Sequence, residues 1–275
     1  MTPVTLIQLS DPHIVTRGQL AMGRVDTAAL LRMAVQTVQR LQPAPLAVLL
    51  SGDLVDRGTS EEYEHLRELL APLPAPVYLL PGNHDDAATL RAAFPEHAYL
   101  QPPATEPGPA AEAVLYAVDL GSLRLVGVDS TVPRRSHGRL DAERLAWLDR
   151  TLAQVPGQPT LVALHHPPFD TGLAAMDAMS LREGREGLAE VIARHPQVQR
   201  VLCGHVHRAC VRRWAGTLVA TAPSTAHQIP LDQRADAELT WSLEPPGFLV
   251  HSLIGGELVT QVQVSSPPLE AQAFE

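Results

Sequence analysis

The 275-residue sequence predicts an α/β protein built on parallel strands. Three observations carry this expectation. Short apolar runs at Val4–Leu9, Leu46–Leu50, Val77–Leu80, Thr160–Leu164 and Val198–Leu202 have the length and content of buried strands. Segments with apolar residues at three- and four-residue spacing separate the early runs, as in repeated strand–loop–helix units. Each run also leads directly into a polar cluster: Asp11-Pro12-His13, Gly52-Asp53-Leu54-Val55-Asp56, Gly82-Asn83-His84-Asp85, His165-His166 and Gly204-His205-Val206-His207. If the strands lie side by side, these clusters meet at one edge of a sheet, where open α/β sheets bind their ligands.

The elements follow in order. Val25, Ala28, Ala29, Leu31, Ala34, Val35, Val38 and Leu41 mark the apolar face of a first helix. Thr59-Ser60-Glu61-Glu62 is a capping box, and Tyr63, Leu66, Leu69 and Leu70 share a face behind it. Gln101–Glu112, rich in Pro, Ala and Gly, reads as a surface loop. Ala113–Leu120 and Leu123–Asp129 read as a hairpin turning at Gly121-Ser122. Helices near Asp141–Leu152 and Leu181–Arg194 flank the strand that ends at His165. After His207 come short β-like pieces at Val211–Trp214, Thr217–Thr221, Gly247–Ile254 and Glu257–Val264. The polar stretch Gln228–Pro246 is expected to be a lid or an oligomer contact. Residues 1–265 read as a single domain, and Ser266–Glu275 as a loose tail.

Composition narrows the function. A net charge of −9 argues against a nucleic-acid groove or an anionic membrane as the main partner, although bound cations would still allow an anionic substrate. All 21 basic residues are arginine, which removes P-loop lysines and Schiff-base chemistry. Cys203 and Cys210 are the only cysteines, so no disulfide framework is expected. No apolar run has the length of a membrane span, and the N-terminus has no secretory pattern; a cytoplasmic location follows as the expectation.

Taken singly, each polar cluster is ordinary. Asp-x-His is a common turn, and Gly-Asp after a strand a common loop start. Gly-His-x-His points alternate side chains the same way on an extended segment. Gly-Asn-His-Asp places three coordinating or proton-transferring side chains on a glycine turn. Five such clusters in this order, with aspartates, an asparagine and histidines together, suggest two divalent metals.

In these blocks the chain resembles the calcineurin-like metallophosphoesterase superfamily, over about residues 4–227. His165-His166-Pro167-Pro168, Met176-Asp177, Cys203-Gly204-His205 and Pro223-Ser224-Thr225-Ala226-His227-Gln228 look most like bacterial class III cyclic-nucleotide phosphodiesterases and the related glycerophosphodiesterases. The resemblance implies a four-layer α/β/β/α sandwich, with the post-His207 segment completing its second sheet as a small β-rich cap or oligomerisation segment. It implies Asp11, His13 and His207 on a first metal, Asp53 bridging, and Asn83, His165 and His205 on a second. Iron, manganese or zinc would suit this donor set. The neutral Asn83 oxygen is a weak ligand, so the second metal is expected to be loosely held.

The implied reaction is hydrolysis of a small phosphodiester by hydroxide shared between metals roughly 3.5–4 Å apart. His84 would serve the leaving group and the equatorial charge without binding metal, with Asn83 beside the substrate. His227 matches a substrate-side histidine of the glycerophosphodiesterases. The resemblance also implies a homodimer or larger homo-oligomer.

Other residues take quieter roles. Asp56 and Asp85 are expected to orient ligand histidines or cap helices, and His166 to hold its loop. His65, His97, His195 and His251 are expected at the surface or in packing, and Trp147 in the core. His137, beside Arg134 and Arg135, reads as an ordinary loop residue. A phosphomonoesterase is the alternative to the diesterase, and a non-catalytic metal-binding scaffold is the alternative from another class. A nuclease would want a basic, aromatic groove that the sequence lacks.

Overall fold

The computed structural model describes residues 4–101 and 112–268. Most of the expected Gln101–Glu112 loop and residues 269–275 of the expected tail lie outside them.

Two sheets form the centre. In the first, β1 (Val4–Leu9), β2 (Ala47–Ser51) and β3 (Val77–Leu80) run parallel, and β12 (Gly247–Ile254) and β13 (Glu257–Val264) extend it antiparallel in the order β13-β12-β1-β2-β3. The second has the order β10-β11-β9-β7-β5-β4, from β4 (Leu115–Asp119), β5 (Arg124–Val128), β7 (Thr160–Ala163), β9 (Val198–Cys203), β10 (Cys210–Trp214) and β11 (Thr217–Thr221). Its inner strands β5, β7, β9 and β11 are parallel.

Helices cover the outer faces. Asp26 caps α1 (Thr27–Gln39) by accepting from the Ala29 amide at 2.9 Å, and Thr59 with Glu62 forms the expected capping box on α2 (Ser60–Leu70). A short α3 (Ala87–Ala93) follows the third polar cluster, capped by Asp86. Alternation along the second sheet assigns its side chains to two layers. Leu125, Leu161, Ala163 and Leu202 join the cluster that includes Leu6 and Leu49 of the first sheet and Leu31 and Leu66 of α1 and α2. Their neighbours Val126, Val162 and Val201 pack instead under α4 (Ala142–Ala153) and α6 (Arg185–Arg194), against Leu148, Leu152, Leu188 and Ile192. Each leucine so buried contributes on the order of 1.5–3 kcal/mol. The result is the α/β/β/α sandwich.

Three expectations need revision. The five ligand-bearing strands do not share one sheet: β1, β2 and β3 belong to the first, β7 and β9 to the second. The strands after His207 divide between the sheets, two to each, because β12 pairs with β1 rather than with the second sheet. The helix expected from Leu181 begins only at Arg185. Leu181–Glu183 is a strand, β8, paired with β6 (Gly138–Arg139), and Gly184 at φ 82° breaks the run.

Gln228–Pro246 contributes no named strand, only an isolated bridge between Gln228 and Ser242. It is anchored at both ends. Arg208 donates to the Ile229 carbonyl at 2.7 Å and pairs with Glu244 at 3.0 Å, Trp241 packs on Val15, Ala21 and Val25, and Ile229 packs beside Leu173, Met176 and Val206. A four-residue helix, α5 (Ala174–Asp177), supplies Met176. Among the described residues no helix is long and apolar enough to cross a membrane.

Candidate metal centre

The loops after β1 and β2 are tied to each other before any side chain is considered. The Asp11 amide donates to the Gly52 carbonyl at 3.1 Å, and the His13 amide to the Asp53 carbonyl at 3.0 Å. Beyond them the Ile14–Val55 bridge resumes the parallel pairing. Within this frame the backbone turns left-handed at Asp11 (φ 50°), His13 (44°), Asp53 (46°), His205 (71°) and His207 (54°). Each such residue costs on the order of 1–2 kcal/mol, and Asp and His are among the types that accept it best. Non-glycine strain of this kind gathers at functional sites.

The strain delivers buried donors to one place. Asp11, His13, Asp53 and His207 each offer an atom within 4.8 Å of the others. His13 Nε2 lies 3.1 Å from His207 Nε2 and 3.7 Å from Asp53 Oδ2, while His207 Nε2 lies 3.5 Å from Asp11 Oδ1. His207 Nδ1 donates to the His227 carbonyl at 2.8 Å, which turns the Nε2 lone pair inward.

Asp53 also faces a second group. Its Oδ2 is 3.4 Å from Nε2 of His165, whose Nδ1 donates to the Ser51 carbonyl at 2.9 Å. Beside it, Asn83 Oδ1, His165 Nε2 and His205 Nε2 are buried without a hydrogen-bond partner among the described residues. A buried polar atom left so costs about 1–3 kcal/mol. Three of them on three loops, beside a carboxylate, are the donor set a cation satisfies. The residues present therefore fit a second metal as well as a first.

Electrostatics agree. Burial lowers the pKa of His205 to about 3 and of His207 to about 4, and drives His13 well below its ordinary value, so these rings are neutral and ready to ligate. Burial raises Asp11 to about 7 against the attraction of His165, and repulsion from the Asp53 carboxylate adds to the rise. Burial opposes ionisation of both partners in the Asp53–His165 pair, yet their mutual attraction wins: Asp53 falls well below the usual carboxylate range and His165 rises to about 9. A cation between them would take over the role of that proton.

His84 stands on the rim. Its amide donates to Asp53 Oδ1 at 2.9 Å, and its Nδ1 bonds the Asp56 carbonyl at 2.8 Å, leaving Nε2 as the nitrogen available for chemistry. Burial lowers its pKa, but the Asp53 and Asp56 groups outweigh that and raise it. His227 packs its ring 4.6 Å from His207 and 5.2 Å from His13, with Nδ1 unpartnered among the described residues. All nine residues singled out from sequence are thus brought together. Seven of them (His13, Asp53, Asn83, His84, His205, His207 and His227) line a cavity of about 280 Å³, while Asp11 and His165 lie buried beneath it. Two wider clefts, of about 680 and 580 Å³, open elsewhere on the surface.

Some expectations shift. Asp85 neither touches a ligand histidine nor caps a helix; it accepts from the amides of Gly82 (2.8 Å) and Leu54 (3.0 Å) and from the Tyr63 hydroxyl (2.9 Å), tying two ligand loops together. Asp56 comes within 4.0 Å of His13 Nδ1, and the cap of α2 is Thr59. His166 holds its loop through Ser130 Oγ at 2.8 Å and the Ser136 carbonyl at 3.2 Å. Sequence reasoning missed the polar group behind His165, where Gln8 Nε2 donates to Ser51 Oγ at 2.8 Å and to the Cys203 carbonyl at 2.9 Å. A glutamine in the middle of a buried strand was the available signal. Gly82 is also required: a Cβ there would overlap the Asp53 amide and carboxylate.

Carboxylates and imidazoles gathered where five strands of a four-layer sandwich end define a metal-dependent hydrolase. The chain belongs to the calcineurin-like phosphoesterase family, whose model matches residues 4–209. It is 36% identical over 246 residues to a probable glycerophosphodiester phosphodiesterase, GpdQ, of Arcobacter nitrofigilis, covering 90% of this chain and 87% of that one. It is 32% identical over 225 residues to the 3′,5′-cyclic adenosine monophosphate phosphodiesterase CpdA of Escherichia coli, covering 82% and 77%. A dimetal phosphatase from Danio rerio shares the fold with a TM-score of 0.67 at 15% identity, over 96% of this chain and 98% of that one.

Proposed function

We propose that this chain is a two-metal phosphodiesterase that hydrolyses small phosphodiesters, either 3′,5′-cyclic nucleotides or glycerophosphodiesters. The observation that carries this reading is Asp53. One carboxylate oxygen faces His13 at 3.7 Å and His165 at 3.4 Å, between two separate donor groups. Asp11, His13 and His207 would hold one cation, Asn83, His165 and His205 the other, with Asp53 shared. Two such cations supply Lewis acidity to the phosphoryl oxygens and a nucleophilic water near neutral pH. The chain supplies the rest. Left-handed loops fix the donors, Ser51 and His227 carbonyls orient His165 and His207, and His84 presents Nε2 to the leaving oxygen as acid or hydrogen-bond donor. Asn83 and His227 would touch the substrate.

The relatives' names support diesters over monoesters. So does the cavity: among its described lining residues none is an arginine that would pair with the second charge of a dianionic monoester. Iron, manganese or zinc is the metal we assign, a homodimer or larger oligomer the assembly and the cytoplasm the location. The test is turnover of cyclic AMP and of glycerophosphoethanolamine by the manganese-loaded protein, each beside a chelated control. Chelator-sensitive hydrolysis of either is expected; none with both would overturn the reading.

A further inference from the structure

Above the carboxylates and imidazoles the cavity changes character. Met22, Met176, Met179, Ile229 and Leu239 line it alongside the polar groups. They come from three places in the chain. Ile229 and Met179 both pack against the cluster that holds Met176, and Met176, Ile229 and Leu239 also border a small adjoining crevice. Met22 sits at the tip of the Ala21–Val25 turn, the same turn on which Trp241 packs, so the Gln228–Pro246 segment joins both ends of the wall.

Two of these side chains are placed against ordinary preference. Met22 adopts φ 51°, a left-handed conformation that methionine accepts only at a cost, and its side chain is 47% exposed; Leu239 is 52% exposed. Apolar side chains held open at the mouth of a reactive cavity offer a surface to a ligand. Methionine makes such a surface adaptable and favours contact with flat π-systems. The charged side chains among the described lining residues, apart from the histidines, are Asp53 and Asp56, both carboxylates. With the Asp53 charge taken up by the cations, no side chain of the apolar wall offers a second phosphate a positive partner, and a polyol would find few partners there.

We propose that Met22, Met176, Met179, Ile229 and Leu239 form a subsite for a flat, uncharged nucleobase, so that nucleoside 3′,5′-cyclic phosphates are preferred over glycerophosphodiesters. The proposal rests on the phosphodiesterase reading and names the substrate class within it. Met22 and Leu239 are the specificity-determining positions, because both lie at the open edge and neither belongs to a large core cluster.

The experiment compares kcat/KM for cyclic AMP and for glycerophosphoethanolamine in the manganese-loaded wild type, Met22→Asn and Leu239→Asn. Asparagine tolerates the left-handed backbone at position 22, and position 239 is exposed, so both variants should fold; circular dichroism and metal content verify this. The wild type is expected to favour cyclic AMP. Each variant is expected to lower the ratio of the two kcat/KM values about 3- to 10-fold, mainly through KM for cyclic AMP. A wild type that prefers glycerophosphoethanolamine, or variants with an unchanged ratio, would overturn the subsite while leaving the phosphodiesterase intact. Hydrolysis of neither diester by the wild type would remove the underlying reading instead.

Discussion

His165 donates its Nδ1 proton to the carbonyl of Ser51 at 2.9 Å, and this bond joins the ends of two strands that lie in different sheets. Behind it, Gln8 Nε2 donates to Ser51 Oγ and the Cys203 carbonyl, and its Oε1 accepts from His251 Nε2 at 3.1 Å. The direction of the His165 lone pair is therefore set by a residue that never reaches the cavity. Gln8→Leu is expected to weaken the second metal about 10- to 100-fold and to cost about 1–3 kcal/mol in stability. Competitive chelator titration and urea unfolding measure both; unchanged metal affinity would show that the Ser51 carbonyl keeps its place unaided.

His84→Ala removes the rim imidazole, which packs edge-on against His13 at 4.7 Å, and leaves every predicted ligand in the chain. Metal content is expected to stay at the wild-type level while kcat falls about 10²- to 10⁴-fold. Elemental analysis alongside steady-state kinetics checks this, and wild-type kcat in the variant would end the assignment.

Asn83 offers a neutral oxygen where a carboxylate would bind a cation more tightly. Extended dialysis is expected to remove one metal before the other, and Asn83→Asp to retain both. Metal-to-protein ratios followed over the dialysis decide it; equal retention by the two proteins would count against a weak second site.

Gly82→Ala pushes a methyl group into the Asp53 amide and carboxylate. The Asp53 loop must move, and the shared carboxylate with it. We expect at least tenfold weaker binding of both metals, read by calorimetric titration with manganese.

His251 is buried, and burial lowers its pKa to about 3 from an unfolded value of 6.5. Above pH 6.5 the ring is neutral in both states and contributes no pH dependence. Below it the unfolded chain takes up the proton first, so stability falls with pH, by about 2 kcal/mol between pH 6.5 and pH 5. His251→Gln is expected to flatten that part of the profile. Urea midpoints at pH 7 and pH 5 for both proteins are the measurement.

Much of this was legible in the sequence because the signals were local. Val4–Leu9, Val77–Leu80, Thr217–Thr221, Gly247–Ile254 and Glu257–Val264 begin and end where the apolar pattern does. The residues expected at the centre are the ones brought together, since each lies in the loop after a strand and those strands run parallel within their sheets. What was hidden depends on partners far along the chain. Whether β12 joins the first or the second sheet is decided by pairing with β1, about 240 residues away, and no periodicity records that. Leu181–Glu183 carries apolar and charged residues in an order that suits a helix, and only Gly184 and the distant Gly138–Arg139 make it a strand. Asp85 reads as a ligand neighbour because its main partners, the Leu54 and Gly82 amides and Tyr63, come from three different segments.

The pairing of Val4 with Leu253 has a consequence for how the protein comes into being. During synthesis β1 emerges long before its outer neighbour β12, with β2 to β11 made in between. The first donors, Asp11 and His13, likewise wait for His205 and His207. A nascent chain still on the ribosome thus has half of its ion cradle and an unpaired strand edge, open to association with other chains. Ion uptake can therefore precede the closing of that edge, because His205 and His207 are both made before β12.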